Sequence, residues 1–173
     1  PAGVPQVVNS GDLNWSLPAT FGTQCYAVAD GYDTNDIDYL RVVNRDTGAV
    51  THIGATGTQS IEAATWTLDG GTLLGVNANQ LGVINVTSGV FSPRLNTIAS
   101  ATDPMAGEYG AISAADIDGI AFDPATGLLY GVHRREAGAL LDVLVRIDPS
   151  TGKHVNNAFG TGVDYVKIPT NTL

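Results

Sequence analysis

TWTLDGGTLLGV, from Thr65 to Val76, returns without a gap as AFDPATGLLYGV, from Ala121 to Val132. Gly71 matches Gly127, Leu73 matches Leu129, Gly75 matches Gly131 and Val76 matches Val132. An aromatic ring stands at the same place in each copy, as Trp66 and Phe122. A third copy keeps only the second half, CYAV from Cys25 to Val28. Such self-similarity marks a chain built from one recurring unit.

A second block recurs three times, as VNRDTG (Val43 to Gly48), INVTSG (Ile84 to Gly89) and IDPSTG (Ile147 to Gly152). A β-branched residue, then Asn or Asp, then Thr or Ser before Gly describes a strand entering a tight turn. The Asn or Asp side chain can cap the turn, and the Gly can take a positive φ. Val28 to Val43 and Val132 to Ile147 both span 15 residues, so the two blocks belong to a common unit, while Val76 to Ile84 spans 8. LLDVLVRID alternates at Leu141, Val143, Val145 and Ile147, as a half-buried strand requires. AVTHIG reads as a returning outer strand, and KHVNNAFG as its counterpart in the last unit.

The spacing predicts an all-β chain of antiparallel, four-stranded, blade-like units: a partial or oligomer-completed β-propeller. An extended N-terminal segment occupies residues 1–20. Three units follow, at about 21–60, 61–116 and 117–162, with residues 163–168 starting the first strand of a fourth and 169–173 left as a tail. FDPATGLLYGV and RIDPSTG resemble the repeats of secreted bacterial β-propeller proteins, in the broad YVTN/NHL/quinoprotein-like set. That resemblance spans about residues 21–168 and implies a fold, with no catalytic residue carried over. Propellers need four to eight blades, so three imply a larger parent, open ends that pair elsewhere, or an open sandwich.

Composition narrows the partners. The 173 residues carry a formal net charge of −9 and a pI near 4.4, which repels phosphate backbones and anionic membranes. No window approaches the apolar run that a spanning helix needs. The chain opens on Pro1-Ala2-Gly3 without initiator Met or signal-type regions, so it reads as a processed product or a piece of a longer protein. One Cys permits no intrachain disulfide, and Cys25 aligns with Leu73 and Leu129, which places it in the core. Few Lys, many Thr, Asn and Gly, and an acidic balance suggest a secreted or cell-surface protein.

Several groups could carry chemistry. Asp30, Asp33, Asn35, Asp36 and Asp38 form the densest acidic loop; alternate Asp and Asn oxygens suit calcium, and a solvated Asx-rich turn is the other reading. His133, Arg134, Arg135 and Glu136 begin the equivalent loop of the third unit, where cations at a strand end could hold a carboxylate or a glycan; internal pairing at a solvated hairpin tip is the alternative. Asp116 and Asp118 would share one face of a strand, as metal or acid–base chemistry asks, or simply mark a strand entry. Asn14 and Asn85 lie in glycosylation sequons that matter only in a eukaryote. Residues 96–115 form an insertion that reads as a partner-binding loop or a plain surface excursion. No HExxH pattern and no nucleophile elbow occurs.

These features support a non-enzymatic extracellular structural or interaction module, needing no cofactor and meeting a protein partner or itself through open strand edges. A glycan-active hydrolase or lyase of propeller form is one alternative. A calcium-stabilised binding domain is the other.

Overall fold

The computed structural model describes residues 6–9, 24–30, 36–135 and 141–169. Among them the chain is all-β, with no helix. Twelve strands run in chain order: β1 (Gln6–Asn9), β2 (Gln24–Asp30), β3 (Asp38–Asn44), β4 (Val50–Ala55), β5 (Ile61–Trp66), β6 (Leu73–Asn77), β7 (Gln80–Ile84), β8 (Phe91–Pro93), β9 (Ile117–Phe122), β10 (Leu129–His133), β11 (Val143–Ile147) and β12 (Tyr165–Lys167). They form three open four-stranded sheets, β1–β4, β5–β8 and β9–β12, each with its strands in sequence order. The second and third sheets are antiparallel throughout. The first departs from the expected pattern, because β1 pairs parallel to β2.

The two sequence blocks have a physical meaning. Trp66 pairs with Leu73 and Ala64 with Gly75; at matching positions Phe122 pairs with Leu129 and Ile120 with Gly131. Gly75 and Gly131 answer the same steric demand. A Cβ on Gly75 would lie 2.7 Å from Ile84 Cδ1, and one on Gly131 would lie 2.8 Å from Ile147 Cδ1, so an isoleucine from the next strand occupies the space above each glycine.

The recurring turn is held from within. Asn44 Oδ1 accepts the N–H groups of Asp46 and Thr47, Asn85 Oδ1 those of Thr87 and Ser88, and Asp148 Oδ1 that of Ser150. The closing glycines adopt φ of 71°, 84° and 82° at Gly48, Gly89 and Gly152, a region that penalises any Cβ. The turn occurs a fourth time, between β9 and β10, where Asp123 Oδ1 accepts from Ala125 N and Gly127 has φ 73°.

The middle sheet is covered on both faces. Leu73 joins the core shared with the first sheet, together with Val28, Leu40 and Ile61. Leu74 and Val76 join the core shared with the third sheet, with Ile120, Leu129, Val143, Val145 and Ile147. In β10 and β11 burial alternates strictly, so one face packs inward and the other carries the half-buried Tyr130, Val132 and Leu144.

Two expectations need correction. Residues 163–168 do not begin a fourth unit: β12 is the outermost strand of the third sheet, with Tyr165 opposite Val145 and Lys167 opposite Val143. That outer strand is broken in two. His154 bridges to Ile147 and Val155 N donates to Arg146 O; the chain then leaves the sheet and returns at β12, so KHVNNAFG pairs only at its start.

The insertion at 96–115 is no loose loop. Ile98 and Met105 are 0% exposed, and Ala99 and Ala114 are 1% exposed, all within the core between the second and third sheets. Ala106 exchanges two hydrogen bonds with Asp164, through both its N–H and its C=O. The Tyr165 hydroxyl accepts from Tyr109 N and donates to Gly110 O. Fully burying a side chain such as Met105 contributes about 1.5–3 kcal/mol, which is why the segment stays folded against the sheets.

Candidate functional site

Functional groups gather on one rim, where β2 and β10 end and β3, β5 and β9 begin. Two cross-sheet contacts define it. Asp38, at the start of β3, accepts Ile61 N at 2.7 Å through Oδ2, tying the first sheet to the second. Ile117 N donates to Ala78 O at 3.0 Å, tying the third sheet to the second. The end of β2 and the end of β10 therefore lie on the same side of the stacked sheets.

At the centre stand Glu62 on β5, Asp116 just before β9, and Asp118 on β9. One oxygen from each lies within 4.8 Å of the others, close enough to share one proton or one cation. Arg134, just beyond β10, grips two of them: Nη2 is 2.8 Å from Asp116 Oδ2 and Nε is 3.1 Å from Asp118 Oδ2. Three carboxylates against one guanidinium leave excess negative charge, and protonation is the simplest relief. Glu62 takes the proton. Although Glu62 is exposed, its hydrogen bond to Asp116, then partial desolvation, then its hydrogen bond to Asp118 push its carboxyl up to about 8. Asp116 is held below the ordinary carboxylate range: burial opposes this, but hydrogen bonds from Glu62 and Arg134 outweigh it. Asp118 moves up, chiefly through burial and with the Asp116 charge adding to it.

A cavity of about 480 Å³ adjoins the cluster, walled by Ile112, Ser113, Asp116, His133, Arg134 and Arg135 among others. The insertion supplies the first two of these. His133 is buried, and its Nδ1 donates to Asp116 O at 2.6 Å, since a carbonyl can only accept. Arg135 lies over the Tyr109 ring, Cζ 4.7 Å from the centroid, with its own backbone N–H on Asp142 Oδ1. A second cavity, of about 760 Å³, opens on the same rim between Asp36, Ile37, Gln59, Ser60 and Asn77.

The residues singled out in the sequence fare unequally. Asp38 is corrected from a loop ligand to a buried strap between sheets, 2% exposed, with one carboxylate oxygen committed to Ile61. Asp36 is exposed, at φ 54°. Asp33, Asn35, Glu136 and Asn14 lie outside the described residues, and of Asp30 only the backbone is described, as the end of β2. His133 is not at a solvated tip but is the buried last residue of β10, while Arg134 and Arg135 diverge, one to the carboxylates and one to Tyr109. Asn85 is exposed and caps its turn, and Cys25 is buried. Asp116 and Asp118 do converge, as their spacing suggested. Glu62 was missed, because it joins them from another sheet and no local pattern marks it.

No protein-family model matches the chain, and a search of curated proteins finds no match either.

Proposed function

We propose that the chain is a non-enzymatic, extracellular interaction module on blade-like repeats, which meets its partner through this rim. The observation that carries the reading is the gathering of Asp36, Glu62, Asp116, Asp118, Arg134 and Arg135 on one rim beside two cavities, with carboxylate oxygens of Glu62, Asp116 and Asp118 within 4.8 Å of one another. Acid–base hydrolysis of a glycosidic bond needs two carboxyl groups held about 5 Å or more apart around the substrate. Groups that hydrogen-bond each other and share Arg134 leave no such gap.

Probing a glycan and peptide array with the purified protein tests this. Rim-dependent retention, lost in Arg134→Ala and kept in Lys153→Met, with no product released, is the expected result. Retention that ignores Arg134 overturns it.

A second reading, a lyase that needs no such gap, has one observation in its favour: Glu62 and Asp116 stand together beside the cavity, Glu62 raised and Asp116 held below the ordinary carboxylate range, as the polarised pair that acid–base catalysis uses. Turnover of any glycan that disappears in Glu62→Gln would establish that reading instead. The calcium-stabilised reading is weakened at the 30–38 loop, since Asp38 is already engaged.

A further inference from the structure

We propose that the cavity walled by Ser113, Asp116, His133, Arg134 and Arg135 binds the carboxylate of an acidic sugar, with Arg135 as its anchor. The proposal rests on the interaction-module reading and deepens it by naming the ligand class. The two adjacent arginines are treated differently. Arg134 is spent on Asp116 and Asp118. Arg135 has no carboxylate on its guanidinium among the described residues: it lies on the Tyr109 ring and lines the cavity.

A guanidinium on the wall of a cavity, with no carboxylate of its own, offers charge-assisted hydrogen bonds to a ligand carboxylate through its accessible N–H groups. The ring beneath Arg135, together with the Asp142 contact to its backbone, fixes the group in advance, so little freedom is lost when a ligand arrives. Tyr109 is itself fixed, because its hydroxyl accepts Leu141 N and its N–H donates to Tyr165.

The rest of the wall selects the ligand. At about 480 Å³ the cavity is in the range that small molecules occupy. Asp116 and the net charge of −9 repel multivalent anions such as phosphate esters, and favour a single charge. The Ser113 hydroxyl and the Asp116 carboxylate suit the hydroxyl groups of a sugar ring. A hexuronate combines these features.

Titration calorimetry of the whole chain with methyl galacturonoside, a singly charged uronate, tests the assignment, against its methyl ester, which keeps the hydroxyls and removes the charge. Millimolar binding is expected, weakened at least tenfold by esterification and by Arg135→Met, and unchanged in Lys153→Met. If Arg135→Met does not fold by circular dichroism, Ser113→Val on the facing wall replaces it, with the same weakening expected. Equal binding of ester and acid, or no binding of the acid at about 50 mM, roughly tenfold above the expected range, overturns the proposal. Acetate binding as tightly as methyl galacturonoside also overturns it, since no sugar would then be recognised. Release of reducing ends in the same samples would overturn the non-enzymatic reading while leaving the binding result intact.

Discussion

Asp38 shows how a residue of obvious surface chemistry can be spent inside the molecule. Its carboxylate satisfies Ile61 N across two sheets, and its own C=O accepts from Thr56 N and from the Thr56 hydroxyl. Asp38→Ala leaves a buried N–H unmatched and should cost about 1–3 kcal/mol in urea denaturation. The loss should be the same in calcium and in EDTA; a loss confined to calcium would restore Asp38 as a ligand. Gly54 is a second such residue. A Cβ there would lie 2.1 Å from Ser88 O, and Gly89 in turn closes on the Gly54 backbone. Gly54→Ala should destabilise by about 1–3 kcal/mol through overpacking. Gly48→Ala, with open space but φ +71°, should lose about 1–2 kcal/mol through backbone strain, so Gly54→Ala should show the larger drop in urea midpoint. The turn caps were legible in the sequence because Asn44, Asn85 and Asp148 bond to their own chain two or three residues on. The reason for Gly54 was not, because its constraint comes from another sheet.

Pairs of strands bring the carboxylates together, and their coupling sets a pH dependence. Unfolded, Glu62 titrates near its ordinary 4.5; folded, near 8. Between these values the folded chain holds more protons, so stability falls as pH rises. The contribution of Glu62 is fully present below about 4.5 and is lost as pH climbs through about 8. Thermal melts in EDTA should therefore show a decline across that window in the native protein, and a flatter profile in Glu62→Gln. Identical profiles would show that the three carboxyl groups do not share a proton. Asp148 works in the opposite sense. The Ser150 hydroxyl and N–H hold its carboxyl below the ordinary 3.8, so its contribution is present above that value and is lost as pH falls further. Asp116 and Asp118 were visible in the sequence as a pair on one strand. The third carboxyl was invisible, because β5 and β9 meet only when two sheets pack.

Across the whole molecule the third sheet stands apart. Its outward face carries the half-buried Tyr130, Val132 and Leu144, with Phe159 against Tyr130, at positions whose counterparts Leu74, Val76 and Leu81 in the second sheet are buried against the third. An apolar face of this kind, with open strand edges beside it, favours association. Light scattering should give a mass that is a multiple of 17.9 kDa, reduced by Val132→Lys. A particle of 17.9 kDa at every concentration removes self-association from the proposed function. The sequence by itself determined the all-β class, the turn chemistry and the match of LLGV to LYGV as copies of one strand, because these follow from repetition and from bonds within a few residues. It could not tell LLGV from LYGV, which are nearly the same strand; only packing decided that one is buried on both faces and the other on one. Nor could it assign residues 96–115 to the core, or bring Glu62 to Asp116, Asp118 and Arg134, because these depend on contacts between distant segments that exist only once the sheets are stacked.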